Sequence, residues 1–171
     1  MNSSIQKIIQ DLAAPNRHIS CSISLWFSGL KELKRRGEGF RESGAFLLGH
    51  RVNGIGYIQK FVFYDDLDPR CLDTGIIVFD GSYYRDLWKI CRESHMDVLA
   101  DVHTHPRRPI QSFVDKTHPM IGEKGHVAII VPRFAKKPVR SRKLGIYEYQ
   151  GNHQWHSYNG VKAAQYFYIG V

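Results

Sequence analysis

Apolar residues recur along the chain with two periods, and the switch between them marks the elements. Over residues 23–33 (ISLWFSGLKEL) they fall at three- and four-residue spacing, which predicts a helix with Trp26, Phe27 and Leu30 turned to the core. Lys34, Arg35, Arg36 and Gly37 are stop signals for it, and Gly37 and Gly39 mark the following turn. Residues 43–50 (SGAFLLGH) are continuously apolar at their centre and predict a buried strand. Asn53 and Gly54 are hairpin residues, and alternation over 57–64 predicts the returning strand. An acidic, proline-containing loop covers 65–73, and 76–79 reads as a short strand. Residues 82–94 predict a helix with Leu87, Ile90 and Cys91 facing inward. A strand then runs through Val98, Leu99, Ala100 and Val102. A short helix from Ser112 follows, then strands over 126–131, 144–149 and 155–158. The pattern over residues 5–12 predicts a short amphipathic helix within an expected N-terminal helical extension over 1–20. Helices alternate with strands without repeats or low-complexity stretches, so one α/β (or α+β) domain over 1–171 is expected.

Composition narrows the class. With 43% hydrophobic and 23% charged residues, the 171-residue chain has the balance of a soluble globular domain able to bury its own core. Cys21, Cys71 and Cys91 form no C-x-x-C pair and no disulfide framework, so a reducing, cytoplasmic setting is expected. No apolar run approaches the ~20 residues that span a bilayer, and the first fifteen residues lack the core of a signal peptide. The formal charge is +8, and residues 133–143 (RFAKKPVRSRK) hold six basic residues and no acid. That run is either a solvated loop or a contact surface for an acidic partner. Phe134 is its only aromatic residue, which gives little support to a nucleic-acid platform.

The chemistry concentrates in residues 101–115 (DVHTHPRRPIQSFVD). His103 and His105 stand one residue apart at the end of the apolar strand, so both imidazoles are expected on one face. Pro106 ends the strand at once, placing the pair where sites are usually built. Ser112 is a plausible N-cap in S-x-x-D, which puts Asp115 in the first helical turn. Two histidines and one carboxylate, with a fourth position left to water, form the donor set of a catalytic zinc site. A water activated in this way needs a base beside it, and Glu42 opens the apolar strand expected next to the histidine strand.

Other zinc and barrel enzymes do not fit. Only 66 residues follow His105, too few for the remaining strands of an amidohydrolase-type barrel. The H-x-E and P-C-x-x-C pair of nucleobase deaminases and the H-E-x-x-H of zincins are absent. The order E-x-x-A-x-L-x-G from Glu42, then H-T-H-P from His103, then S-x-x-D from Ser112 resembles the JAMM motif of the JAB/MPN-plus metallopeptidases, most closely the prokaryotic JAB branch. The loop between His105 and Asp115 is one residue shorter than eukaryotic members generally have, and its Pro-Arg-Arg-Pro is unusual.

The resemblance implies a cytidine-deaminase-like fold, with a mixed β-sheet flanked by helices. It implies one zinc ion (Zn2+) held by His103, His105 and Asp115, with Glu42 as general acid/base and Ser112 steadying the oxyanion. The implied activity is that of a zinc-dependent isopeptidase or peptidase, deubiquitinase-like, cutting after the C-terminal tail of a ubiquitin-like protein. The implied partners are that protein or its conjugate and ubiquitin-activating-like enzymes of the same operon, with no membrane. Two readings from other classes stand beside it: a catalytically silent MPN-type scaffold, and a nucleic-acid-associated JAB relative.

Overall fold

The computed structural model describes residues 17–170. Among these residues eight strands form one curled sheet, from edge to edge Gln154–Tyr158, Gly145–Gly151, Val127–Val131, Asp97–Thr104, Gly44–Val52, Ile55–Phe63, Ile19–Ser22 and Phe167–Gly170. β1 (Ile19–Ser22) runs straight into α1 (Ile23–Arg36). β2 (Gly44–Val52) and β3 (Ile55–Phe63) make the expected hairpin, with Asn53 and Gly54 both at positive φ in the turn. α2 (Tyr64–Leu67) and α3 (Tyr84–Ser94) lead to β4 (Asp97–Thr104), and α4 (Phe113–Thr117) separates β4 from β5 (Val127–Val131). β6 (Gly145–Gly151), β7 (Gln154–Tyr158), α5 (Val161–Tyr166) and β8 (Phe167–Gly170) complete the chain. The sheet is mixed: β4–β5, β1–β3 and β1–β8 pair parallel, and the other pairs antiparallel.

Alternation along β2 shows how the core is divided. Ala45 and Leu47 join one cluster with Trp26, Leu30 and Leu33 of α1, while Phe46 and Leu48 join another with Tyr64 of α2 and Leu87 of α3. Both faces of the central strands are therefore covered, which is why β2, β4 and β5 read as nearly continuous apolar runs. α1 starts where the Ser22 hydroxyl accepts from Leu25 N, and it ends with Lys34, Arg35 and Arg36 against the negative end of the helix dipole. Trp26 is fully buried and donates from Nε1 to Val139 O at 2.8 Å, so its one polar atom is satisfied inside the core.

Several expectations change. Residues 76–79 do not join the sheet; Ile77 N faces the Glu42 carboxylate and Val78 N donates to Cys71 O, so these donors make no ladder. Ile19 and Ser20, assigned above to an N-terminal helical extension, instead open β1 between β3 and β8. The helix expected over 5–12 lies outside the described residues. β1, α5 and β8 are four, six and four residues long, too short to show a period. Among the described residues no helix is long and apolar enough to cross a membrane.

Candidate metal centre

The site stands at the C-terminal end of β4, on the sheet face that carries Phe46 and Tyr64. β4 is held on both sides: Gly44 of β2 lies opposite His103 in an antiparallel register, and Ile130 of β5 lies opposite it in a parallel one. Past the strand the backbone stays tied down. Thr104 N donates to Ser43 O, His105 N donates to Val131 O, and Phe134 N donates to His105 O, each at 2.9 Å. Both imidazoles project together as the H-x-H spacing predicts, with Nε2 atoms 3.0 Å apart and ring centroids 4.9 Å apart. Both residues are buried.

The loop from Pro106 to Gln111 returns the chain to the same point. Tyr147 donates its hydroxyl to Pro109 O at 2.9 Å. Gly145 lets that carbonyl approach β6, since a Cβ there would collide with Pro109 O. Ser112 then caps α4 in a capping box: Asp115 N donates to Ser112 Oγ at 3.1 Å, and Ser112 N donates to Asp115 Oδ2 at 2.6 Å. The box turns Asp115 inward. Its carboxylate oxygens lie 3.4 Å from His103 Nε2 and 3.3 Å from His105 Nε2. One donor atom from each of the three residues lies within 4.8 Å of the others.

The donor set fits a divalent transition ion. Both histidines present Nε2 to the same point, where their neighbours are each other and an anionic carboxylate. Two nitrogens and one oxygen suit zinc, and they also suit other borderline ions. Without an ion the charges compensate among themselves. Burial pushes the His103 imidazole down, but Asp101 and Asp115 override this and raise it to about 10. Burial raises the Asp115 carboxyl, and the two imidazoles then hold it far below its ordinary range.

Glu42 lies two residues before Gly44, so the β2–β4 register brings it toward His103. Burial raises its carboxyl, while the fields of His103 and His105 oppose the shift. Its backbone N donates to Gly75 O at 3.0 Å, and Ile77 N lies 3.4 Å from its Oε2. All five expected site residues thus gather at one end of β4 and β2, although Ser112 spends its oxygen on the helix cap. His118, a histidine with no comparable spacing, is exposed at the end of α4 and bonds Thr117.

A buried group behind the centre went unnoticed in the sequence. Asp101 is only 1% exposed. It accepts from Tyr64 Oη at 3.1 Å and lies 2.6 Å from His126 Nε2, and its Oδ2 is 3.8 Å from His103 Nδ1. Burial raises its carboxyl, but the two imidazoles bring it below the ordinary value. The signal was available: an aspartate inside an apolar strand, two residues before His103 and hence on the same face. His126 could not be paired with it from spacing, because the two meet only through the β4–β5 register.

Fold and site together define a mixed α/β domain with two buried histidines and one half-buried carboxylate clustered at a strand end. No family model matches the chain. The solution structure of protein DSY2949 from Desulfitobacterium hafniense is similar to it, with a TM-score of 0.60 and 18% identity over 82% of this chain and 90% of that one. The likeness is one of fold. The solution structure of a protein from Salinibacter ruber matches with a TM-score of 0.46 and 15% identity, over 78% of this chain and 86% of that one.

Proposed function

We propose that the chain is a zinc-dependent peptidase or isopeptidase of the JAMM/MPN-plus type, with the cytidine-deaminase-like fold of the prokaryotic JAB branch. The observation that carries this reading is the convergence of His103, His105 and Asp115 at 3.0–3.4 Å, with Glu42 delivered by the adjacent strand. His103 and His105 through Nε2, and Asp115 through its carboxylate, would hold the ion. Zinc, when bound, supplies a Lewis acid for a carbonyl and lowers the pKa of a water.

The chain's own residues would do the rest. Glu42, with its carboxyl raised by burial, takes the proton of the attacking water and passes it to the departing amine. The Ser112 hydroxyl accepts in the helix cap, which leaves its hydrogen for the oxyanion of the tetrahedral intermediate. The buried loop anchors keep these groups in place before the substrate arrives. The substrate we infer is the glycine-ended C-terminal tail of a ubiquitin-like protein, extended as it enters. Residues 76–79, outside the sheet and beside Glu42 with Ile76 and Val78 exposed, offer it a flank. Cleavage releases a free carboxylate and an amine.

The test incubates the chain with tail-linked fusions of ubiquitin-like proteins whose C-terminal tails end in glycine, with zinc and then with chelator. Mass spectrometry locates the cut. The expected result is one cut directly after the tail, abolished by chelator and by His103→Ala or Asp115→Ala. Chelator-insensitive cleavage, or intact fusions throughout, contradicts the proposal.

A further inference from the structure

We infer that Asp101 is a positioning residue of the metal centre: its buried carboxylate, anchored by Tyr64 and His126, sets the His103 ring so that Nε2 faces the ion. The inference rests on the metal reading above and adds to it residues that neither bind the ion nor touch substrate.

Three elements converge on this one carboxylate. Tyr64 comes from α2, His126 from the residue preceding β5, and His103 follows Asp101 by two residues in β4. Phe46 stands opposite Asp101 in the neighbouring strand, and Phe46 also packs edge-on against Tyr64 with ring centroids 4.8 Å apart. An ionised group in such surroundings costs more than an apolar side chain of the same size. Two of its neighbours, Tyr64 Oη at 3.1 Å and His126 Nε2 at 2.6 Å, answer its hydrogen-bonding capacity. The third does not serve the carboxylate in that way. At 3.8 Å from Oδ2, His103 Nδ1 stands at an ion-pair distance, longer than a direct hydrogen bond.

That placement matters for the ring. The two nitrogens of an imidazole lie on opposite sides of it, and a carboxylate beside one commits the other to the ion. His103 lies between two carboxylates in this way, with Asp101 on the Nδ1 side and Asp115 on the Nε2 side. His126, at the far side of Asp101, keeps the carboxylate from turning away from His103. Asp101 therefore acts on the ion only through His103, and Tyr64 and His126 act only through Asp101.

The test measures zinc affinity of the full chain by competition with a chromophoric chelator at fixed pH, together with the melting temperature of the metal-free form. Asp101→Asn is expected to weaken zinc binding several-fold, up to the ~10–100-fold of an outer partner that hydrogen-bonds the ring directly. His126→Gln is expected to weaken it in the same direction by less. Zinc affinity unchanged in both variants overturns the inference, whatever happens to the melting temperature, because a purely structural network would move only the latter. Should Asp101→Asn fail to fold, His126→Gln decides alone. A long-range 15N–1H spectrum of the zinc-loaded wild type gives a check that needs no variant. It is expected to show His103 protonated at Nδ1 and bound through Nε2, and binding through Nδ1 overturns the inference. A wild type that binds no zinc overturns the metal reading and this inference together. Equal zinc binding by all forms overturns the inference alone.

Discussion

His103 illustrates how much one residue here depends on charge. Its folded value in the metal-free chain is about 10, against an ordinary 6.5, because Asp101 and Asp115 outweigh the effect of burial. A raised value means that the folded state binds this proton more tightly than the unfolded chain does. The resulting stabilisation is complete below about 6.5 and is lost as pH rises through about 10. The metal-free chain should therefore melt at falling temperatures across that window. Zinc must displace the same proton, so binding near pH 7 should release acid and flatten the pH dependence. Melting curves with and without zinc check both statements, and a metal-free melting temperature that stays level from pH 6.5 to 10 counts against this account of His103. Glu42 gives the complementary prediction. Its carboxyl is raised above 4.5 by burial, and it works as a base only when ionised. In the metal-free chain the Glu42 carboxyl should therefore titrate above an ordinary glutamate, and an NMR titration placing it at or below 4.5 would contradict this account of its burial.

Among the elements, α4 is the one that brings a candidate ligand, Asp115, and its capping serine together. It spans five residues, none of them buried, so burial contributes little to holding it, and the Ser112–Asp115 box fixes its start. Ser112→Ala should cost about 1 kcal/mol of stability through the lost cap. If the hydroxyl also serves the oxyanion, turnover should fall ~10²–10³-fold while zinc is retained. A denaturant titration and a rate measurement on the same preparation separate the two effects. Unchanged turnover would leave Ser112 with the cap alone. The S-x-x-D spacing announced the Ser112 cap and the place of Asp115 in the first turn, and the continuous apolar runs announced β2, β4 and β5, because those signals are local. β1, α5 and β8 gave no comparable signal. Each is four to six residues long and held by tertiary pairing, as with β1 between two parallel neighbours. Residues 76–79 show the opposite case. Their apolar content suggests a strand, but two of their backbone donors are turned to Glu42 and Cys71 O.

At the scale of the whole molecule, the sheet register turns scattered motifs into one site. Glu42 and His103 are 61 residues apart in sequence, and only the antiparallel β2–β4 pairing makes them neighbours. The clustering of the three candidate ligands was legible in advance because H-x-H and S-x-x-D lie within fifteen residues, whereas the Asp101–His126 contact depended on a strand pairing that spacing does not encode. The +8 charge acts at this scale too. The run over 133–143 begins in a turn whose Phe134 N is bonded to His105 O, and its Ala135 and Val139 pack into the core cluster of α1, on the sheet face opposite the proposed centre. Cleavage of a tail on an acidic partner should slow as salt rises, mainly through KM, because screening weakens encounter more than chemistry. A rate indifferent to salt between about 0.05 and 0.5 M would remove the basic surface from the account. The most direct test of the central claim compares wild type with Glu42→Gln at matched zinc content on a tail-linked fusion. The account predicts about one zinc per chain in both and turnover only in the wild type. Near-normal cleavage by Glu42→Gln, or cleavage by a chain free of metal, would contradict it.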